Sequence, residues 1–136
     1  MATIKMTALG GFRTTAVHLK SGTEIITDAP TDNNGKGESF SPTDLLSASL
    51  GACMTTIMDI AGKEHGFEMA GTEIEITKIM AENPRRVAEI IVELNFPDRE
   101  YSEKAKRVIE LTSRTCPVAL SLHPDIKQTI KLNYKR

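Results

Sequence analysis

Residues 41–66 read SPTDLLSASLGACMTTIMDIAGKEHG, and the layout of the rest of the chain depends on how this stretch is read. Ser41 suits an N-cap, because its hydroxyl can accept an N–H of the first helical turn. Pro42 suits the first helical position, where its missing N–H is no loss. Asp44 stands three residues after Ser41, where its carboxylate can reach back to the cap. Leu46, Leu50, Cys53, Ile57 and Ile60 then recur at spacings of four and three, an apolar seam on one helical face. Gly66 is placed to end the helix in the left-handed conformation. Ser47, Ala48, Ser49, Gly51 and Ala52 surround Cys53, and side chains this small let another backbone approach. The stretch therefore predicts a long, deeply buried helix, packed against a partner helix.

On its N-terminal side, strand-like alternation covers about residues 2–9 and 13–20, with Gly10-Gly11 between them, a hairpin pattern. A short third strand is expected near TEIIT (23–27). DAPTDNNGKGES (28–39) reads as a polar loop long enough to cover a site. On the C-terminal side, GTEIEITKIMA (71–81) and RVAEIIVELNF (86–96) alternate with period two around Asn83-Pro84, a second hairpin. Residues 98–114 predict a second helix, with Tyr101, Ala105, Val108 and either Ile109 or Leu111 facing inward. CPVALSL (116–122) predicts a short helix begun by Pro117, and DIKQTIKLNY (125–134) a closing strand. The order is β-β-β-α-β-β-α-α-β, an α+β layout without repeats.

A chain of 136 residues is expected to form a single domain, 1–136. The net charge of −1 argues against nucleic acid as a partner, since a binder shows a basic face. With no Trp, two Tyr and four Phe, base stacking has few platforms. No unbroken apolar run reaches the length of a membrane span, and the N-terminus lacks the apolar core of a signal peptide, so a cytoplasmic protein is expected. Two cysteines are too few for a disulfide scaffold or a four-ligand zinc site, and His18, His65 and His123 fall in no metal-ligand spacing. No cofactor is expected.

The two cysteines have a plain reading, as small buried residues. Cys53 lies about 18 Å along its helix from Ser41 at ~1.5 Å per residue, too far for the helix dipole to activate it. If it reacts, a side-chain cation must lower its pKa. Cys116 directly precedes Pro117, and a side chain at a helix start meets unpaired N–H groups that favour a thiolate.

The stretch 41–66 resembles the first-cysteine helix of the OsmC/Ohr family, the osmotically inducible protein C and organic hydroperoxide resistance proteins. SRTCPVALSL (113–122) resembles the family's second-cysteine motif, Cys-Pro-Val. The likeness covers essentially the whole chain and is strongest to the small OsmC-like branch. It implies an OsmC-like fold: an intertwined homodimer with central helices packed between β-sheets and active sites at the dimer interface. It further implies a thiol-dependent peroxidase acting on organic or inorganic hydroperoxides. Cys53 would be the attacking thiolate, Cys116 would resolve its sulfenic acid as a disulfide, and an external dithiol would reduce that disulfide. The family's arginine follows a Gly-rich turn, which in GGFR is Arg13; a guanidinium stays charged when buried and donates in a fixed fork. Arg114 is a rival cation. The chain departs from the pattern after the helix-starting Pro42: the family's peroxidases carry a Glu there to orient the arginine, and this chain has Thr43. Asp44 and Glu38 are the candidate replacements. An OsmC-fold dimeric binding protein, with a hydrophobic pocket and little turnover, is the alternative that this departure favours.

Overall fold

The computed structural model describes residues 1–135. Its elements are β1 (Ile4–Gly10), β2 (Arg13–His18), β3 (Glu24–Asp28), α1 (Pro42–His65), β4 (Glu73–Ala81), β5 (Arg86–Asn95), α2 (Glu103–Thr112), α3 (Pro117–Ser121) and β6 (Lys127–Asn133). One 3-10 turn, Thr31–Asn33, interrupts the polar loop. The class is α+β in the expected order. The chain forms two compact units, Met1–Leu46 and Ser47 onward, and α1 begins in the first and runs on through the second.

The first unit is an antiparallel sheet, β1-β2-β3. Its first turn carries three successive positive φ angles, 78° at Gly10, 60° at Gly11 and 65° at Phe12, so glycine relieves backbone strain at two of the three positions. The register places Arg13 directly opposite Asp28. Composition assigns Asp28 to the loop, but it is the last residue of β3, and its N–H donates to the Phe40 carbonyl at 3.0 Å. The Gly37 N–H donates to the Ala29 carbonyl at 3.1 Å, so the loop folds back on the strand that precedes it. The start of α1 is the expected reciprocal cap. The Asp44 N–H donates to Ser41 Oγ at 3.0 Å, and the Ser41 N–H to Asp44 Oδ2 at 2.9 Å.

The second unit is a sheet, β4-β5-β6, packed with helices. β4 and β5 are the predicted antiparallel hairpin, whereas β6 runs parallel to β5 after the crossover through α2 and α3. Its core joins Leu50, Met54 and Met58 of α1 with Val87, Ile90, Val92 and Leu94 of β5, Ala105 and Ile109 of α2, and Cys116. The α1 seam is thus rotated from the expected one. Leu50 belongs to it, Cys53 and Ile57 are half-buried beside it, and Leu46 and Ile60 are exposed. The helix is less deeply buried than its small residues suggested. Gly51 faces the sheet, where a Cβ would meet Ile76 Cδ1 at 2.5 Å, so part of the small-residue face serves contact within the chain. By length and mean hydropathy, 1.4, α1 also meets the requirements of a membrane span, which a count of unbroken apolar residues does not register. Its Leu50–Met54–Met58 ridge is committed to the core.

Candidate functional site: a thiol pair and a clamped arginine

The second unit brings the two cysteines together. Cys53 is half-buried on α1, on the flank of the core ridge, and Cys116 is fully buried just ahead of α3. Their side chains are in hydrogen-bonding contact, and both thiols are free. Pro117 stands at the first position of α3, and Cys116 is its N-cap: Sγ accepts the Ala119 N–H at 3.4 Å. The sequence argument expected this position to favour a thiolate. Instead, burial pushes the Cys116 thiol up; the Ala119 N–H pulls the other way, and the contact with Cys53 adds to the rise. The N–H groups of Val118 and Ala119 at the start of the five-residue α3 do not outweigh the loss of water. Cys116 is therefore a neutral thiol at neutral pH, close enough to its partner to exchange a hydrogen bond. Two thiols so arranged can be oxidised together, the second trapping whatever forms on the first.

Arg13 belongs to the first unit. Its Nη2 donates to Glu38 Oε1 at 2.6 Å and to Asp28 Oδ2 at 3.2 Å. Glu38, one of the two replacement carboxylates named from sequence, does reach the arginine; the other, Asp44, is engaged in the Ser41 cap. Thr43 Oγ1 lies 3.3 Å from Ser41 Oγ. Arg114, the rival cation, is exposed and pairs with Glu110 one turn back on α2, Nε to Oε1 at 3.0 Å.

Asp28 is the residue that sequence reasoning missed. Its side chain is fully buried, and Oδ2 accepts both Arg13 and the Glu38 N–H, the latter at 2.9 Å. The Glu38 N–H is the main influence holding its carboxyl below the usual range; burial opposes this, and Arg13 reinforces it. A signal was present: a hairpin folded about Lys20-Ser21 sets position 28 opposite position 13. Among the described residues no three His, Cys, Asp or Glu side chains gather closely enough to hold a metal ion.

The chain as a whole is similar to known proteins. A sequence model of the family described as OsmC-like protein matches residues 35–131. A candidate osmotic stress induced and detoxification response protein from Psychrobacter arcticus 273-4 is 50% identical, over 98% of this chain and 96% of that one, with a TM-score of 0.93. An organic hydroperoxide resistance protein from Legionella pneumophila shares the fold at 12% identity, covering 98% of each chain, with a TM-score of 0.76. So does one from Elizabethkingia anophelis, at 19% identity over 99% of this chain and 98% of that one, with a TM-score of 0.75. No protein of curated function matches the chain. The family match over most of the length, with the thiol pair in place and a half-identical relative of the same fold, assigns this chain to the OsmC-like family.

Proposed function

We propose that the protein is a thiol-dependent peroxidase that reduces organic or inorganic hydroperoxides. The observation that carries this reading is the contact between Cys53 and Cys116, which stand on different elements far apart in sequence and are both free. The Cys53 thiolate attacks the outer oxygen of ROOH. The O–O bond breaks, the leaving alkoxide takes a proton to become ROH, and Cys53 becomes a sulfenic acid. Cys116 then attacks the Cys53 sulfur, water leaves, and a Cys53–Cys116 disulfide forms. An external dithiol returns both thiols and is itself oxidised. Cys53 takes the first role because it is the less buried of the two and because the Cys116 thiol is pushed up by burial. Arg13 is the cation we assign to the Cys53 thiolate. The hydroperoxide resistance proteins from Legionella pneumophila and Elizabethkingia anophelis, which share the fold, support the choice of substrate class. A homodimer is part of the same reading.

The binding-protein alternative rested on the missing glutamate at Thr43. That support weakens once Arg13 is seen to have two other carboxylates. The test is hydroperoxide consumption driven by a dithiol. Cys53→Ser is expected to abolish it, Cys116→Ser to stop it after one turnover with a trappable sulfenic acid on Cys53, and Arg13→Met to slow it. A wild-type protein that leaves hydroperoxides intact at excess dithiol sinks the enzyme reading in favour of the binding protein.

A further inference from the structure

We propose that Asp28 is the positioning residue of Arg13, and that Glu38 is a dispensable second partner. The inference deepens the reading above and rests on Arg13 as the cation of the thiol site. Three observations carry it. First, the two carboxylates differ in setting. The Asp28 side chain is 0% exposed and that of Glu38 is 59% exposed, while Arg13 between them is 33% exposed. An exposed ion pair contributes little, because water and salt screen it. The shorter Arg13–Glu38 contact is thus the weaker constraint. Second, Asp28 is held independently of Arg13. Its backbone is paired in the sheet opposite Arg13, and Oδ2 is gripped by the Glu38 N–H at 2.9 Å. Both strands and the carboxylate are therefore set before the guanidinium arrives. Third, Asp28 is a poor choice for stability alone. Its Oδ1 is buried with no hydrogen-bond partner among the described residues. A buried carboxylate oxygen left unpaired is costly and calls for another explanation. Both bonds to Arg13 run through Nη2. This leaves the Nη1 and Nε edge of the guanidinium to donate to a thiolate or a peroxide oxygen, the task for which a fixed fork is suited.

The primary measurement is the guanidinium of Arg13 itself, followed by proton exchange and hindered rotation of its Nη groups in NMR spectra, a readout independent of turnover. Asp28→Asn keeps the shape of the side chain and removes its charge. It is expected to speed the loss of these protons about tenfold or more, as befits a charge-assisted bond. Glu38→Gln is expected to change it about fivefold or less, as befits an exposed pair. The reverse order, or equal effects, overturns the proposal. The activity arm is a double-mutant cycle. Asp28→Asn should lower the hydroperoxide rate by roughly tenfold to a hundredfold, the scale of a misplaced catalytic group. It should cost nothing further in an Arg13→Met background. A full additional loss there means that Asp28 acts elsewhere, and the proposal falls. If the wild type proves inactive toward hydroperoxides, the enzyme reading fails and the guanidinium measurement still decides the role of Asp28. If Asp28→Asn does not fold, Glu38→Gln alone decides it. Hindered rotation at Arg13 should survive in that variant, and its collapse there overturns the proposal.

Discussion

The Cys116 sulfur illustrates how burial and a helix start compete for one group. The Ala119 N–H favours its anion and the surrounding core disfavours it, with the core prevailing. The consequence for stability has a definite sign. An acid whose folded pKa is raised binds its proton more tightly in the native state, so its contribution is complete below the unfolded thiol value of about 8.5 and is lost as pH rises through the folded value. Urea unfolding under reducing conditions, at about pH 7 and about pH 10, should therefore show a fall in stability that is smaller in Cys116→Ala than in the wild type. An equal fall in both proteins would mean that Cys116 ionises as freely in the native state as in the unfolded one. Asp28 has the opposite sign. Its carboxyl is held low, so its contribution is complete above the unfolded value of about 3.9 and lost as pH falls through its lower folded value. Alkylation completes the residue-scale picture: a neutral thiol reagent should modify half-buried Cys53 before buried Cys116. Mass analysis of partly labelled native protein that found Cys116 modified first would reverse the two roles.

At the scale of elements, α1 depends on glycines that a helix-propensity scale would replace. At Gly62 a Cβ would stand 2.3 Å from the Phe67 carbonyl oxygen and 3.0 Å from Phe67 Cδ1, where the chain returns after Gly66. The Gly62 carbonyl accepts both the Gly66 and the Phe67 N–H, at 2.8 and 3.0 Å, so the return is tied in place. Alanine gains about 1 kcal/mol as a helix former, but forced overpacking costs about 1–3 kcal/mol, and here the obstacle is backbone. Gly62→Ala should thus lower the urea midpoint, and a raised midpoint would show that the turn relaxes freely. The same helix shows how far sequence reading extends. Its start at Ser41-Pro42, its Asp44 partner and its stop at Gly66 were all legible, because caps are local chemistry. Its buried ridge was not. Leu46, Leu50, Cys53, Ile57 and Ile60 make as regular a seam as Leu50, Met54 and Met58, and only the sheet residues that meet Gly51 decide between them. The choice of Ile109 over Leu111 on α2 was open for the same reason, three neighbouring apolar positions fitting one spacing. Both hairpins were legible from period-two alternation. The contact between Cys53 and Cys116 was available only through family resemblance, since nothing local links positions so far apart. Asp28 escaped because a run rich in Asp, Gly and Asn marks a loop without marking the residue at which the strand ends.

At the scale of the whole molecule, the distribution of apolar surface bears on assembly. Every residue of β1 is exposed, and period two sets Ile4 and Met6 on one face, with Ile25 two strands over in the same register. Their exposures are 54%, 57% and 47%. Large apolar side chains gathered on one sheet face mark a contact surface more often than a solvated one. A three-stranded sheet also needs its apolar face covered to be stable. The expected cover is a second copy of this chain, in line with the homodimer proposed above. Light scattering at micromolar concentration should then give twice the chain mass of 14.9 kDa. The thermal midpoint should rise with protein concentration, because association then contributes to the stability of the fold. Met6→Glu places a charge in the middle of the expected contact and should yield either a monomer of lowered midpoint or an unfolded chain, through the cost of burying an unpaired carboxylate. A wild-type chain that stays monomeric, with a midpoint indifferent to concentration and to Met6→Glu, would remove the dimer and leave the exposed face of β1 and β3 without an explanation.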